Sequence, residues 1–116
     1  MIFKYEIPDV PPSNNKFIGR NQRWQYQDEK KKWTEAVALF CRPKPKVPFK
    51  RAVVTLTYHF KDGRRRDPDN YSGKFILDGL VRCGILADDS FDVIDLKLCK
   101  GETSKKPYTE IEVEEK

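Results

Sequence analysis

The sequence predicts a single compact α+β domain, residues 1–116, built from four strands and two helices. Three observations carry this. The chain is 116 residues, which suits one hydrophobic core. Three of its segments carry apolar residues in a roughly two-residue alternation and two carry them at helical spacing. Proline, glycine and asparagine clusters separate these segments.

Ile2 to Ile7 is β-prone and runs into Pro8, Pro11 and Pro12, which cannot donate to a ladder and so end the strand. Pro11-Pro12-Ser13-Asn14-Asn15-Lys16 is loop sequence, dense in residues that fix φ or bond their own backbone. From Gln27 to about Leu39, Trp33, Ala36, Val37 and Phe40 recur at three- and four-residue spacing, which predicts the first helix. Pro43, Pro45 and Pro48 exclude a helix beyond it and favour an extended connector.

Val54, Leu56, Tyr58 and Phe60 alternate with Thr55, Thr57 and His59, a strand with one apolar and one mixed face. His59 falls on the mixed face and reads as structural. Lys61-Asp62-Gly63 turns the chain, and Asp67 to Asn70 resembles a helix cap. Phe75, Leu77, Leu80 and Val81 then follow at helical spacing until Gly84, the second helix. Val93 to Leu98 and Thr109 to Val113 alternate again. Gly101 to Pro107 has the composition of a hairpin loop, so these last two strands are expected to pair antiparallel.

Mean hydropathy is −0.75 and charged residues make up 35% of the chain. No apolar run approaches the roughly 20 residues of a membrane-spanning helix, and Lys4 and Glu6 interrupt the N-terminus, unlike a secretory signal. A cytoplasmic location without membrane attachment is the expectation. Cys41, Cys83 and Cys99 are widely spaced with no Cys-x-x-Cys pair, and His59 is the only histidine, which argues against disulfides, a zinc site and Cys-His catalysis. Net charge is +5, and it is polarised. Residues 1–66 carry 16 basic and 6 acidic side chains, residues 67–116 carry 7 and 12. A basic half invites a polyanion such as nucleic acid. Acids beside a basic run would repel it unless a divalent cation intervened.

The informative stretch is Arg64-Arg65-Arg66-Asp67-Pro68-Asp69-Asn70. In an extended segment residues i and i+2 point the same way, so Asp67 and Asp69 could aim at one point, stiffened by Pro68. Hard carboxylate oxygens suit Mg²⁺ or Mn²⁺. The alternative is a helix cap at Asp69 or Asn70 with Asp67 paired to an arginine. Asp88, Asp89, Asp92 and Asp95 offer a third carboxylate, which spacing alone does not select. Lys74 and Asp78 share a helix face, as a surface ion pair or with Lys74 turned toward the acids to neutralise a phosphate.

Taken together, these pieces resemble the RusA-type Holliday junction resolvases. Pro11 to Asn15 resembles the family's opening loop, Arg64 to Asn70 its basic run and D-x-D-N, Leu77-Asp78-Gly79-Leu80 its second helix, and Gly84 followed by Asp88-Asp89 completes the order. The resemblance implies a mixed four-stranded sheet with two helices, working as a homodimer on four-way junction DNA. It implies a Mg²⁺-dependent endonuclease, with Mn²⁺ as a substitute and no small-molecule cofactor. Its metal-binding acids fall on Asp67, Asp69 and Asp89, and its essential lysine on Lys74. Arg64, Arg65, Arg66, Asn14, Asn15 and Lys16 become candidates for DNA contact, as does the basic Lys44 to Arg51 connector. One departure stands out: Tyr71-Ser72-Gly73 puts one residue more between Asn70 and Lys74 than the family pattern, which Gly73 is expected to absorb.

Overall fold

The structure is a computed structural model that describes residues 1–17 and 22–116. Its elements are β1 (Ile2–Ile7), α1 (Arg23–Phe40), β2 (Ala52–His59), α2 (Lys74–Arg82), β3 (Ile94–Lys100) and β4 (Tyr108–Glu115). Short 3₁₀ turns cover Asn14–Phe17 and Pro68–Asn70. The four strands form one mixed sheet in the order β1-β4-β2-β3. Strand β4 pairs antiparallel with both β1 and β2, whereas β2 and β3 run parallel.

One face of the sheet is apolar. Tyr5 and Ile7, Val54 and Leu56, Ile94, and Ile111 and Val113 are buried in one cluster with Trp33 and Val37 of α1 and Phe75, Ile76 and Leu80 of α2. Strand alternation puts Lys4, Glu6, Thr55, Thr57, Lys97, Glu110, Glu112 and Glu114 on the opposite face. Part of the acidic half of the chain therefore lies along β4, with Lys4 in register with Glu112.

Helix α1 begins a turn earlier than the periodicity suggests. The reason is tertiary: Tyr26 packs against Phe17 and Phe75, with ring centroids 5.6 and 5.3 Å away. At the other end Phe40, expected on the apolar face, is 40% exposed. Helix α2 is entered through Gly73, which adopts a left-handed φ of 79°. It ends as its sequence predicts, at Gly84 with φ 87°. There the amides of Gly84 and Ile85 donate back to the carbonyls of Val81 and Leu80, satisfying the helix end. Gly79 lets the two helices approach closely, since a Cβ there would lie 2.8 Å from Val37 Cγ2.

The last two strands do not form the expected hairpin. The segment Gly101–Pro107 instead crosses the end of β2, and β4 takes the far edge of that strand. Seven residues easily span the roughly 9–10 Å of two strand spacings. The crossing also lets β2, buried along most of its length, sit inside the sheet. The amides of Gly101 and Ser104 donate to the carbonyls of Tyr58 and Phe60. His59 fastens the crossing: its Nδ1 is 2.8 Å from the Glu102 carbonyl oxygen, its Nε2 is 2.5 Å from Glu110 Oε1, and its ring stacks on Tyr108 at 4.1 Å. These partners agree with a structural histidine.

Candidate functional site

The parallel pair β2 and β3 ends on the side from which the Arg64 to Asn70 segment departs. In open α/β sheets, ligands gather at the carboxyl ends of parallel strands. Asp67 is extended (φ −101°, ψ 138°), as expected for a residue before proline. Beyond it the chain does not stay extended. Pro68 opens the 3₁₀ turn, closed by the amides of Asn70 and Tyr71 on the carbonyls of Asp67 and Pro68, both at 3.0 Å. The extended segment expected to aim Asp67 and Asp69 at one point therefore stops at Asp67, and Asp69 lies within the turn. Asp67 Oδ1 instead lies 3.3 Å from Arg65 Nε, and both side chains are largely exposed.

Asp69 is exposed, but its backbone is fixed from a distance. Asn14 Nδ2 donates to the Asp69 carbonyl oxygen and to Ser72 Oγ, each at 3.1 Å. The opening loop is thereby tied to the acidic turn across 55 residues of sequence. Asn15 and Lys16 are exposed beside it.

The three arginines divide. Arg66 is half-buried: Nη1 donates to the Asp62 carbonyl at 3.0 Å, Nη2 to Asp62 Oδ1 at 3.0 Å, and the guanidinium lies 4.3 Å over the Phe60 ring. A bond from the Arg64 amide, then one from the Arg66 side chain, holds the Asp62 carboxyl below the usual carboxylate range. Arg64 and Arg65 are 81% and 88% exposed and present their charge to solvent. The connector is engaged elsewhere: Lys44 Nζ donates to the Cys83 carbonyl at the end of α2 at 3.0 Å, and Pro45 is buried.

Gly73 turns the chain into α2, and Lys74 is its first residue. Lys74 lines a small depression between the helices with Tyr26, Lys30, Phe75, Asp78 and Asp89. Its Nζ stands 5.1 Å from the Tyr26 ring centroid, within cation–π range. Lys74 and Asp78 face the same depression, but Asp78 makes its ion pairs with Lys30 at 3.7 Å and Arg82 at 3.4 Å. Of the four downstream acids only Asp89 lines this depression; Asp95 is paired with Lys116, which lowers its pKa. Tyr26 and Lys30 were not singled out from the sequence. A signal was present, since Tyr26 extends the Trp33 and Val37 stripe two turns upstream.

A separate apolar cleft is lined by Phe60, Arg66, Asp67, Pro68, Tyr71, Leu98 and Lys100 together with Tyr58 and Cys99. Asp67 faces this cleft and Asp89 the depression. Among the described residues, no group of three or more His, Cys, Asp or Glu side chains stands close enough to hold a metal ion. The nominated acids match Mg²⁺ in donor chemistry but do not form a prebuilt three-carboxylate cage.

Cys41, Cys83 and Cys99 are free, buried, half-buried and exposed in turn. Burial pushes the Cys41 thiol up to about 12, which keeps it protonated and unreactive.

Compared with models of known protein families and with curated proteins, the chain matches none.

Proposed function

We propose that the protein is a metal-assisted, structure-selective endodeoxyribonuclease of the RusA type, which resolves four-way DNA junctions by paired symmetric nicks. The observation that most supports this is the Asn14 clamp, which joins the opening loop to the Asp69–Ser72 backbone. From there Gly73 hands the chain to Lys74, which shares its depression with Asp89. Segments remote in sequence that together resemble the family are therefore connected in space.

In this reading Arg64 and Arg65 grip backbone phosphates by charge, a contact that carries position more than sequence. Asn15 and Lys16 extend that grip along the opening loop. Lys74, steadied over Tyr26, offsets charge that grows on the phosphoryl oxygens during displacement. Asp69 and Asp89, and Asp67 once it leaves Arg65, offer hard oxygens to Mg²⁺ or Mn²⁺. Mg²⁺ commonly takes one or two carboxylates and completes its shell with water and substrate phosphate. When bound, such an ion supplies Lewis-acid activation of water and of the phosphodiester. Cleavage leaves 5′-phosphate and 3′-hydroxyl ends. Two equivalent strands to cut call for two equivalent sites, hence a two-fold homodimer. A DNA substrate and free thiols suit the cytoplasm.

A second reading, a branched-DNA-binding protein without turnover, is favoured by one observation: the acids are not gathered among the described residues. Incubating the purified protein with an end-labelled synthetic four-way junction separates the two. Paired, ligatable nicks in Mg²⁺ and none in chelator are expected. Salt-sensitive binding without nicking in Mg²⁺ or Mn²⁺ would establish the second reading. Faster cutting of flaps or forks than of the junction would make it a less selective nuclease.

A further inference from the structure

The apolar cleft beside the acidic turn shares only Asp67 with the chemistry above, and its aromatic walls have no part in it. Its walls are unusually aromatic for a surface feature. Tyr71 meets Phe60 edge-on at 5.0 Å and lies 6.0 Å from Tyr58, and Tyr58 and Phe60 are 5.8 Å apart. Pro68 and Leu98 complete an apolar lining at the carboxyl ends of β2 and β3. The rim is of mixed charge: Lys100 and an Arg66 paired with Asp62 stand with the Asp67 carboxylate, and the exposed Arg65 is next in sequence. Tyr58 is only 3% exposed, and among the described residues its hydroxyl has no hydrogen-bond partner.

We infer that this cleft is a stacking slot for one unpaired nucleobase, with Tyr71 as its aromatic face and Lys100 and the neighbouring Arg65 beside the flanking phosphates. A flat, apolar ring with polar edges matches such a lining, and a phosphate on either side of the base matches these cations. An aliphatic ligand would match the walls but not the rim, and a free anion the rim but not the walls. The assignment rests on the nucleic-acid reading. It adds to that reading a means of holding DNA at a point where a base has left its partner, which is where branched DNA differs from duplex. Because Asp67 lines the same cleft, an occupying nucleotide would bring its phosphate to the carboxylate that Arg65 now holds.

The test compares a junction carrying an unpaired thymine at the branch with the same junction carrying an abasic linker there. Base-on-aromatic stacking predicts that the abasic linker weakens binding to the wild-type protein by about tenfold. This first comparison involves no substitution and so raises no question of folding. In Tyr71→Ala the difference should vanish, and Tyr71→Phe should restore it. Equal affinity of the wild-type protein for both junctions would overturn the slot while leaving nuclease activity standing. A second probe, thymidine monophosphate titrated while the Leu98 methyl resonances are followed, addresses the cleft directly. Shifts at Leu98 without any junction binding would support the slot and retire the endonuclease reading. Unmoved Leu98 methyls together with equal junction affinities would overturn the slot by both routes.

Discussion

Asp69→Asn is expected to reduce cleavage of a four-way junction by about a hundredfold or more while junction affinity stays level or rises. Loss of a group supporting a metal site costs activity on the scale of ten- to a hundredfold even when it is not itself a ligand. Removing a negative charge that faces phosphate removes repulsion. Asp69 is exposed and its side chain makes no hydrogen bond or ion pair among the described residues, so stability should move by no more than about 0.5 kcal/mol. Asp89→Asn and Asp67→Asn should behave alike. Asp88→Asn serves as the control, since Asp88 lies outside the depression shared by Asp89 and Lys74. Turnover and binding constants measured on the four variants decide the matter; full activity of Asp69→Asn would remove this residue from the site.

The second large effect concerns the fold where it meets the site. Gly73→Ala should destabilise the protein by about 2 to 5 kcal/mol, from two sources. A left-handed φ of 79° costs an alanine on the order of 1–2 kcal/mol. Its Cβ would also stand 2.3 Å from Leu56 Cδ1, inside the buried sheet face, and overpacking of that kind adds about 1–3 kcal/mol. Urea unfolding would measure the loss. Combining the change with Leu56→Ala gives a sharper test, because the methyl would then occupy space that leucine vacates. The double variant should be more stable than the sum of the two single losses predicts. Strict additivity would show that the contact with Leu56 is not what makes glycine necessary. The same residue turns the chain so that α2 starts at Lys74.

What could be read from the sequence follows the range of the interaction involved. The limits of β1, the alternation of β2 and the end of α2 at Gly84 are local matters, set by proline, by side-chain period and by a left-handed glycine, and the structure agrees with each. The first turn of α1 depends on Tyr26 meeting Phe17 and Phe75 in space, which an incomplete periodic stripe conceals. The order of the strands is a long-range property: the polar loop composition of Gly101–Pro107 suits a hairpin and a crossing loop equally, and only the buried position of β2 decides between them. At the site, Pro68 is compatible both with an extended link and with the first position of a 3₁₀ turn. The turn is what forms, so the extended link ends at Asp67 and Asp69 falls within the turn. That Asn14 reaches Asp69 and Ser72 could not be derived from spacing, although the loop and the acidic run each stand out in the sequence.

The most direct measurement is Mn²⁺ uptake followed by electron paramagnetic resonance, with the protein alone and with a phosphorothioate-protected junction bound. Weak uptake by the free protein is expected, because its carboxylates are not gathered among the described residues. Tight uptake should appear once the junction's phosphate joins them, and should be lost in both Asp69→Asn and Asp89→Asn. Uptake no greater than that of the junction DNA alone, or undiminished in both variants, would contradict a site made by these acids and the DNA together.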